Sequence, residues 1–377
     1  MSNVTGRQRP WGVHVRRVQA VAGALRARRA TAVVAAATLA AVGYAGLGGG
    51  VAAAKSSSSW SKVVAQAKQE KTVLLYTEGD DIGTAMRKGF QKAYPWATVK
   101  YVVGAPGDLA SRALTEARAG STTADVLMLP GAQREALLSA SVVVKSPVPN
   151  DSKMSKQFVD PTSYSHPVYV TPINLVYNTD KLKASQLPKD LYDLANPKWS
   201  GKIAFDQPSN DATAGDFLAA PRKEWGDAKW KKWLQGLKNN NIFLTADSTS
   251  AYQAVLRGEA EIGVDNPGDV LSQAKGAPVA NGYYKDVIPF VQYVWQAKNA
   301  SHPAMAKLFI NWMLSKAGQT AMAETGRSPA QLKLKVKNSL SSLMPKGTQI
   351  LSAADLQGFY NDPTGYNDIF NQYWPSA

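Results

Sequence analysis

The sequence predicts an α/β chain of two lobes, each a mostly parallel sheet flanked by helices, with two extended segments joining them. Three observations lead there. Short apolar runs of strand length alternate with amphipathic stretches of helix length along the chain after Trp60. The alternation comes in two series, and helices between strands imply crossovers and hence parallel pairing. The pieces Val168–Val170 and Ile173–Tyr177 read as strand-like and can carry the chain from one series to the other, and Val287–Trp295 is again extended.

The first series opens with Trp60, Val63, Val64 and Ala67 on one face of a helix, followed by the strand-like Thr72–Tyr76. Ile82, Met86, Phe90 and Ala93 mark a second helix, stopped at Tyr94-Pro95. Thr98–Val103 is a strand, Leu109–Ala119 a helix and Ala124–Leu129 a strand. The second series has strands at Lys202–Phe205, Ile242–Thr245 and Glu261–Val264. Between them lie a helix carrying Trp230, Trp233, Leu234 and Leu237, and another from Ser248 to Arg257 that ends at Gly258. Met305, Leu308, Phe309, Trp312 and Met313 then form the apolar face of a later helix.

Ahead of this lies a segment of different composition. The first 55 residues contain several arginines and no Asp or Glu, so much of the net charge of +15 belongs to them. A basic stretch ends at Arg28-Arg29, an apolar run follows from Ala30 to Leu47, and Ala52-x-Ala54 has the small-x-small form that a signal peptidase reads. Two readings stand: a cleaved signal peptide, or an uncleaved anchor whose Ala- and Gly-rich run is short and weakly apolar for a span. Arg28-Arg29 also permits twin-arginine export beside the ordinary route. Either way the destination is the periplasm or the outer face of the membrane. The division expected is residues 1–54 as leader, 55–59 as a flexible joint, 60–170 with 285–377 as a discontinuous first lobe, and 171–284 as the second.

Composition narrows the function. The charges after the leader are dispersed, with no basic helix or aromatic-basic stripe, which argues against nucleic-acid binding. The absence of cysteine removes disulfides, thiolate metal sites, a cysteine nucleophile and a lipid-modified cysteine. No G-x-S-x-G, H-E-x-x-H or P-loop occurs, and His166 and His302 each precede a proline outside any catalytic motif. A secreted hydrolase remains as the reading of another class. No cofactor is expected, and the part after the leader is expected to be a soluble monomer.

Five phrases carry a resemblance. They are Ala124-Asp125-Val126-Leu127-Met128-Leu129; Leu175-Val176-Tyr177-Asn178-Thr179-Asp180-Lys181-Leu182; Leu194-Ala195-Asn196-Pro197-Lys198-Trp199-Ser200-Gly201-Lys202-Ile203-Ala204; Val255-Leu256-Arg257-Gly258-Glu259-Ala260-Glu261-Ile262-Gly263; and His302-Pro303-Ala304 leading to Lys316-Ala317-Gly318-Gln319 and Gly326-Arg327-Ser328-Pro329. In this order the chain resembles the iron(III)/thiamine/phosphonate-type branch of the ABC-transporter solute-binding proteins. The resemblance implies a type II periplasmic-binding-protein-like fold, a cleft that closes on a small ligand, and delivery to an ABC permease and its ATPase. The Asn196–Gly201 phrase also reads, without any ligand, as a turn with a packed Trp and a Gly in unusual dihedrals.

Ligands of open α/β sheets lie beyond the carboxyl ends of strands. In the first lobe that selects Thr77, Glu78, Gly79, Asp80 and Asp81, then Pro130 and Gly131, with Tyr169, Thr171 and Asn174 beside the crossover. In the second lobe it selects Asp206, Gln207, Ser209 and Thr213, then Ser248 and Thr249 at a helix start, then Asp265 and Asn266. Trp295 on the returning segment is a candidate for ring stacking or for the core. Helix starts suit an anion and the acids suit a cation, so a small zwitterion, an organophosphorus or thiamine-like compound, is the expected ligand. Iron(III)-binding members of the branch carry adjacent tyrosines after the strand that follows the Gly-Glu phrase. This chain has Asp265-Asn266-Pro267-Gly268 there, and its pair Tyr283-Tyr284 lies further on. A metal would therefore need oxygen ligands such as Glu78, Asp80 and Asp265.

Overall fold

Buried apolar runs make the strands, and the stripes at helical spacing lay their apolar faces on them. The structure is a computed structural model that describes residues 48–375, apart from 122–123, 209–211, 268–269, 271–275, 338 and 352–354. The leader through residue 47 and Ser209 therefore lie outside the described residues. Residues 52–377 form one compact unit, to which the account below refers. No helix among the described residues is long and apolar enough to cross a membrane.

In chain order, the first half runs α1 (Gly48–Glu70), β1 (Thr72–Thr77), α2 (Asp80–Ala93), β2 (Thr98–Val103), α3 (Pro106–Arg118), β3 (Val126–Pro130), α4 (Arg134–Ser139), β4 (Val143–Val144) and the long β5 (Ser165–Asn178). Then come β6 (Ile203–Asp206), α5 (Ala212–Ala219), α6 (Pro221–Asn239), β7 (Phe243–Thr245), α7 (Ser248–Leu256), β8 (Ile262–Asp265), β9 (Val279–Gly282) and the long β10 (Asp286–Ala297). The chain ends with α8 (Pro303–Met313), α9 (Lys316–Glu324), β11 (Ser328–Pro329), α10 (Leu340–Leu343), β12 (Gln349–Ile350), α11 (Gln357–Asn361) and α12 (Pro363–Tyr373).

Strand order along the continuous path is β2-β1-β3-β10-β5-β8-β6-β7. Pairing is parallel where βα units repeat, in β1 with β2 and β3 and in β6 with β7 and β8. It is antiparallel where β5 and β10 run through the middle. This is the two-lobed α/β architecture expected, with the long strands shared between its halves. Pro172 on β5 stands opposite Pro289 on β10. Before that rung β5 pairs with β11 at Tyr169 and Val170; after it, β5 pairs with β8 from Asn174 onward. Proline offers no N–H to a neighbour, so the pair falls where the chain passes from one sheet to the other.

A register shift between Gln292 and Tyr293 leaves Val168 without a partner in the ladder. The buried Gln319 of α9 donates its side-chain amide to the Val168 carbonyl at 2.8 Å. Its own carbonyl accepts the Gln331 amide at 3.1 Å. The bulge is therefore satisfied by a side chain rather than by a strand.

Two cores result. The first joins β1 and β3 with α2 and α8, where Phe309 meets Phe90 edge-on at 4.9 Å and stacks near Trp312. The second gathers Phe205, Phe217, Trp230, Trp233 and Leu237. Trp230 and Trp233 are wholly buried, yet each indole N–H is used, on Leu218 O and Leu191 O, both at 2.7 Å. The Asn196–Gly201 phrase is a turn: Asn196 accepts the Lys198 amide at 3.0 Å, Trp199 is buried, and Gly201 has φ of 70°.

Two expectations need correction. The run Ser56–Ser59 is not a joint but lies within α1. Once the Trp60–Ala67 half is packed, extending a helix backward through Ser costs only about 0.5 kcal/mol per residue relative to Ala. The C-terminal stretch also does not stay with the first lobe, because Leu356, Phe359, Tyr366, Phe370 and Trp374 join the second core. Phe205 meets Trp374, and Trp230 meets Tyr366 and Phe370, so the tail's aromatic face fills that core.

Carboxylates tie the loops. Glu70 caps the start of α8 through Met305 N at 2.7 Å, and Asp125 accepts from Leu74 N and His302 N, both at 2.8 Å. Asp160 accepts from Arg134 at 2.7 Å and from Thr162 Oγ1 at 2.6 Å. Burial alone would raise the Asp160 carboxyl, but its bonds from Thr162 and Arg134 outweigh that and hold it below the ordinary 3.8. The ionised form is thus favoured on folding, and this stability is present above pH 3.8 and lost as the pH falls through the lower folded value. Asp160→Asn is expected to be less stable than wild type in urea unfolding at pH 7, with the difference shrinking below pH 3.8.

Candidate functional site

The selected residues fall into two groups, both beyond the carboxyl ends of parallel strands. In the first, β1 ends in Thr77 and leads through Glu78-Gly79 into α2, while β3 ends in Pro130 beside Gly131. In the second, β6 ends in Asp206, whose register partner on β7 is Thr245, and β8 ends in Asp265. Strand β5 touches both. Tyr169 reaches Glu78, and Asn174, further along the strand, is in register with Asp265. At about 3.3 Å per residue, these points lie roughly 17 Å apart along the strand.

The first group is an interlocked set of acids and donors. Glu78 accepts from the buried Tyr169 hydroxyl through one oxygen and from Gln292 Nε2 through the other at 3.3 Å. Asp80 accepts from Tyr101 Oη at 2.8 Å. Asp81 pairs with Arg327, whose guanidinium also sits 5.8 Å from the Tyr169 ring centre. Burial first, and then the Glu78 carboxylate, push the Tyr169 phenol well above its usual range, with Arg327 opposing them. Burial also works against the Arg327 charge, but Tyr169, Asp81 and Glu78 prevail and its pKa rises. Arg327 was not among the sequence candidates. The signal available was its place in Gly326-Arg327-Ser328-Pro329, just before the strand β11 that pairs with Tyr169.

Several candidates are absorbed by the scaffold. Thr77 is wholly buried with Oγ1 against Met128 sulfur at 3.6 Å. Gly131 lies so close to the Tyr360 ring that a Cβ would meet it at 2.3 Å, which leaves no space for a side chain. Trp295 is wholly buried, its indole N–H directed at Leu129 O at 3.4 Å. Gln207 donates to Trp374 O at 2.8 Å, fastening the C-terminus to the second group. Thr171 is half-buried at the passage between sheets.

In the second group, Asp206 is wholly buried and accepts from Ala214 N at 3.1 Å, just beyond Thr213. Asp247 caps α7 through Ser250 N at 2.7 Å, which leaves Ser248 nearly buried and Thr249 exposed in the first turn. Asp265 is wholly buried and accepts from Asn266 Nδ2 at 3.3 Å. Asn174 donates to Leu175 O at 2.7 Å and to Asn281 Oδ1 at 2.9 Å. The pair Tyr283-Tyr284 belongs to the second core instead. Tyr284 is buried and donates to Ile173 O at 2.8 Å, bracing β5 where it changes sheet.

Two chemistries bear on this geometry. Among the described residues, no three His, Asp or Glu side chains come together as a metal-holding set, and Glu78, Asp80 and Asp265 do not form one. Ser146 Oγ lies 2.9 Å from His166 Nε2, and His166 Nδ1 lies 2.6 Å from Asp151, the order of a hydrolase triad. Ser146 is wholly buried, however, so the chain of bonds is closed to a substrate and serves to pin the strand entry. Tyr169→Phe removes a donor from the Glu78 carboxylate and is expected to cost about 1–3 kcal/mol. Urea unfolding measures that cost.

A sequence model of the family described as bacterial extracellular solute-binding protein matches residues 53–320. The Fe(3+)-binding periplasmic protein of Serratia marcescens is 33% identical over 153 residues, covering 38% of this chain and 44% of that protein. The chain spans about half the length of such curated relatives. Iron-bound HitA from Pseudomonas aeruginosa superposes with a TM-score of 0.67 at 26% identity, over 79% of this chain and 99% of that one. AfuA from Actinobacillus pleuropneumoniae, with fructose-6-phosphate bound, does so at 0.66 and 20% identity, over 81% and 100%, and shows the fold alone. With most of its length matched and its two-lobed fold shared, the chain belongs to the bacterial extracellular solute-binding protein family.

Proposed function

We propose that the chain is the exported, monomeric receptor of an ABC importer, capturing a small solute between its lobes and passing it to a membrane permease. The observation that carries this reading is the joint passage of β5 and β10 from one sheet to the other at Pro172 and Pro289, with loop groups beyond the strand ends on either side. Hinge closure about that passage would bring the groups onto one ligand. Binding makes or breaks no bond, and the partner ATPase supplies the energy of transport.

The ligand best suited to the loops is a small zwitterion with an anionic end such as phosphate, phosphonate or carboxylate. The first turn of α7, with Ser248 and Thr249, favours the anion, and Glu78 and Asp80 favour the cationic part. A second reading, ferric iron as cargo, is favoured by the Fe(3+)-binding name of the Serratia marcescens relative. Glu78, Asp80 and Asp81 already have internal partners, which a metal ion and an organic cation alike would have to displace.

A thermal-shift screen separates the two. Residues 56–377 are tested with ferric citrate, citrate alone, thiamine, phosphonates and sugar phosphates. A ligand at a hundredfold excess over Kd is expected to stabilise the protein by about 2.7 kcal/mol. Ferric citrate acting where citrate does not would select iron. No stabilisation by any of them would remove both ligand classes. With the organic ligand in hand, Ser248→Ala and Thr249→Ala are each expected to cost about 1 kcal/mol of affinity by calorimetry. Glu78→Gln is expected to cost about twice that.

A further inference from the structure

The stretch that the family model matches ends at residue 320, and the tail beyond it places a ring between the two loop groups. The tail belongs to the second lobe. Phe359 and Tyr360 of α11 are buried in the second core, where Phe359 meets Tyr366 at 5.6 Å and Phe370 at 6.4 Å. The Gln207 bond to Trp374 O fastens the end of the chain there. Phe359 lies against Gly215 of α5, where a Cβ would meet its ring at 2.8 Å. The Tyr360 hydroxyl donates to Asp216, the next residue of α5, at 3.2 Å.

The ring of Tyr360 also reaches the first lobe. It packs on Gly131, the residue after Pro130 at the end of β3, and Ala132 beside it packs against the same second core. Gly131 belongs to the first loop group. Helix α5 starts at the second, where Asp206 accepts from Ala214 N. Tyr360 therefore fills the space between the two groups at this point. Burial first, and then the Asp216 carboxylate, hold its phenol well above the usual range, so the hydroxyl stays a donor and keeps the ring in place. Such a contact is asymmetric. Pressing a packed ring onto backbone meets steep repulsion, whereas drawing the two apart forfeits only weak dispersion contacts. A movement that brings Gly131 toward α5 is blocked by the ring, and one that separates them is not.

We propose that Tyr360, backed by Phe359, is an internal stop on lobe closure that sets the smallest solute able to touch both loop groups at once. This rests on the receptor reading above. Closure proceeds until Gly131 seats on the ring, and a solute too short to span the groups at that separation gains contacts from one lobe only.

The test needs no ligand. The chain has no cysteine, so Ala105→Cys and Ala246→Cys put spin labels on two exposed alanines just beyond β2 and β7, the strands at opposite ends of the strand order. Pulsed electron paramagnetic resonance on the compact unit, residues 52–377, reads the distance between them. Tyr360→Ala is expected to shift that distance shorter. Gly131→Ala, which adds a methyl group where the ring leaves no room, is expected to shift it longer. Tyr360→Phe keeps the ring and is expected to leave the distance unchanged. Thermal melts by circular dichroism confirm folding, and if Tyr360→Ala does not fold, Gly131→Ala decides alone. An unchanged distance in folded Tyr360→Ala or in Gly131→Ala would overturn the stop, as would equal shifts in Tyr360→Phe and Tyr360→Ala. None of these results touches the receptor reading, which the solute screen judges. The expected shifts in a protein that no solute stabilises would remove that reading and leave the stop standing.

Discussion

The antiparallel ladder of β5 and β10 is the constraint on which the molecule turns. Each strand is long enough to serve two sheets, and each is buried along most of its length. A pair of strands hydrogen-bonded to each other cannot slide without losing every rung, so the two lobes keep their registry. What the pair can do is bend where outer neighbours are missing. Pro172 and Pro289 stand there, and a residue without an N–H leaves nothing unsatisfied when the flanking sheets diverge. Tyr284, bonded to Ile173 O, holds the second-lobe end of that passage firm. Gln319, bonded to Val168 O, does the same for the first-lobe end. Two braced ends with a donor-free rung between them define a bending point more narrowly than a flexible loop would.

This arrangement explains which parts were legible in the amino-acid order. β1, β6 and β8 are apolar runs bounded by turns, and such runs must be buried whatever surrounds them. Gly258, with φ of 77° after α7, and the Asn196–Gly201 turn were legible because their residue types serve local backbone needs. The destination of the C-terminal tail was not. Tyr366 and Phe370 show a helical apolar face, but either core could have received it, and only long-range packing with Trp230 decides. Strand β9 was missed for a related reason. Val279–Gly282 is short, half-buried and ends in Gly, so it is a strand only because β5 offers it an edge.

The candidate site divides the same way. Glu78 and Asp81 were visible as a cluster of acids after a strand, since position alone selects them. Their counterion was not, because Arg327 comes from far along the chain and meets Asp81 only after β11 has paired with β5. The consequence is chemical as well as topological. The acids expected to suit a cation are in the fold a carboxylate set largely supplied with donors, from Tyr169, Gln292, Tyr101 and Arg327. A ligand cation entering there competes with protein donors rather than with water, so selectivity depends on displacing particular bonds.

The C-terminal tail adds a third passage between the cores, from Leu340 in the first to Leu356 in the second. A third strap could lock the lobes, and its position decides whether it does. Strand β12 pairs in parallel with Asp286 and Val287 of β10, and Leu351 N donates to Val287 O at 2.9 Å. The strap thus crosses beside the same part of β10 that carries Pro289. A connection lying near a rotation axis changes length little when the bodies turn about it, whereas one far from the axis must stretch. All three passages run next to one another, so they resist twisting and separation together while leaving one soft direction, bending about their common line. That is the motion the proposed closure on a ligand requires.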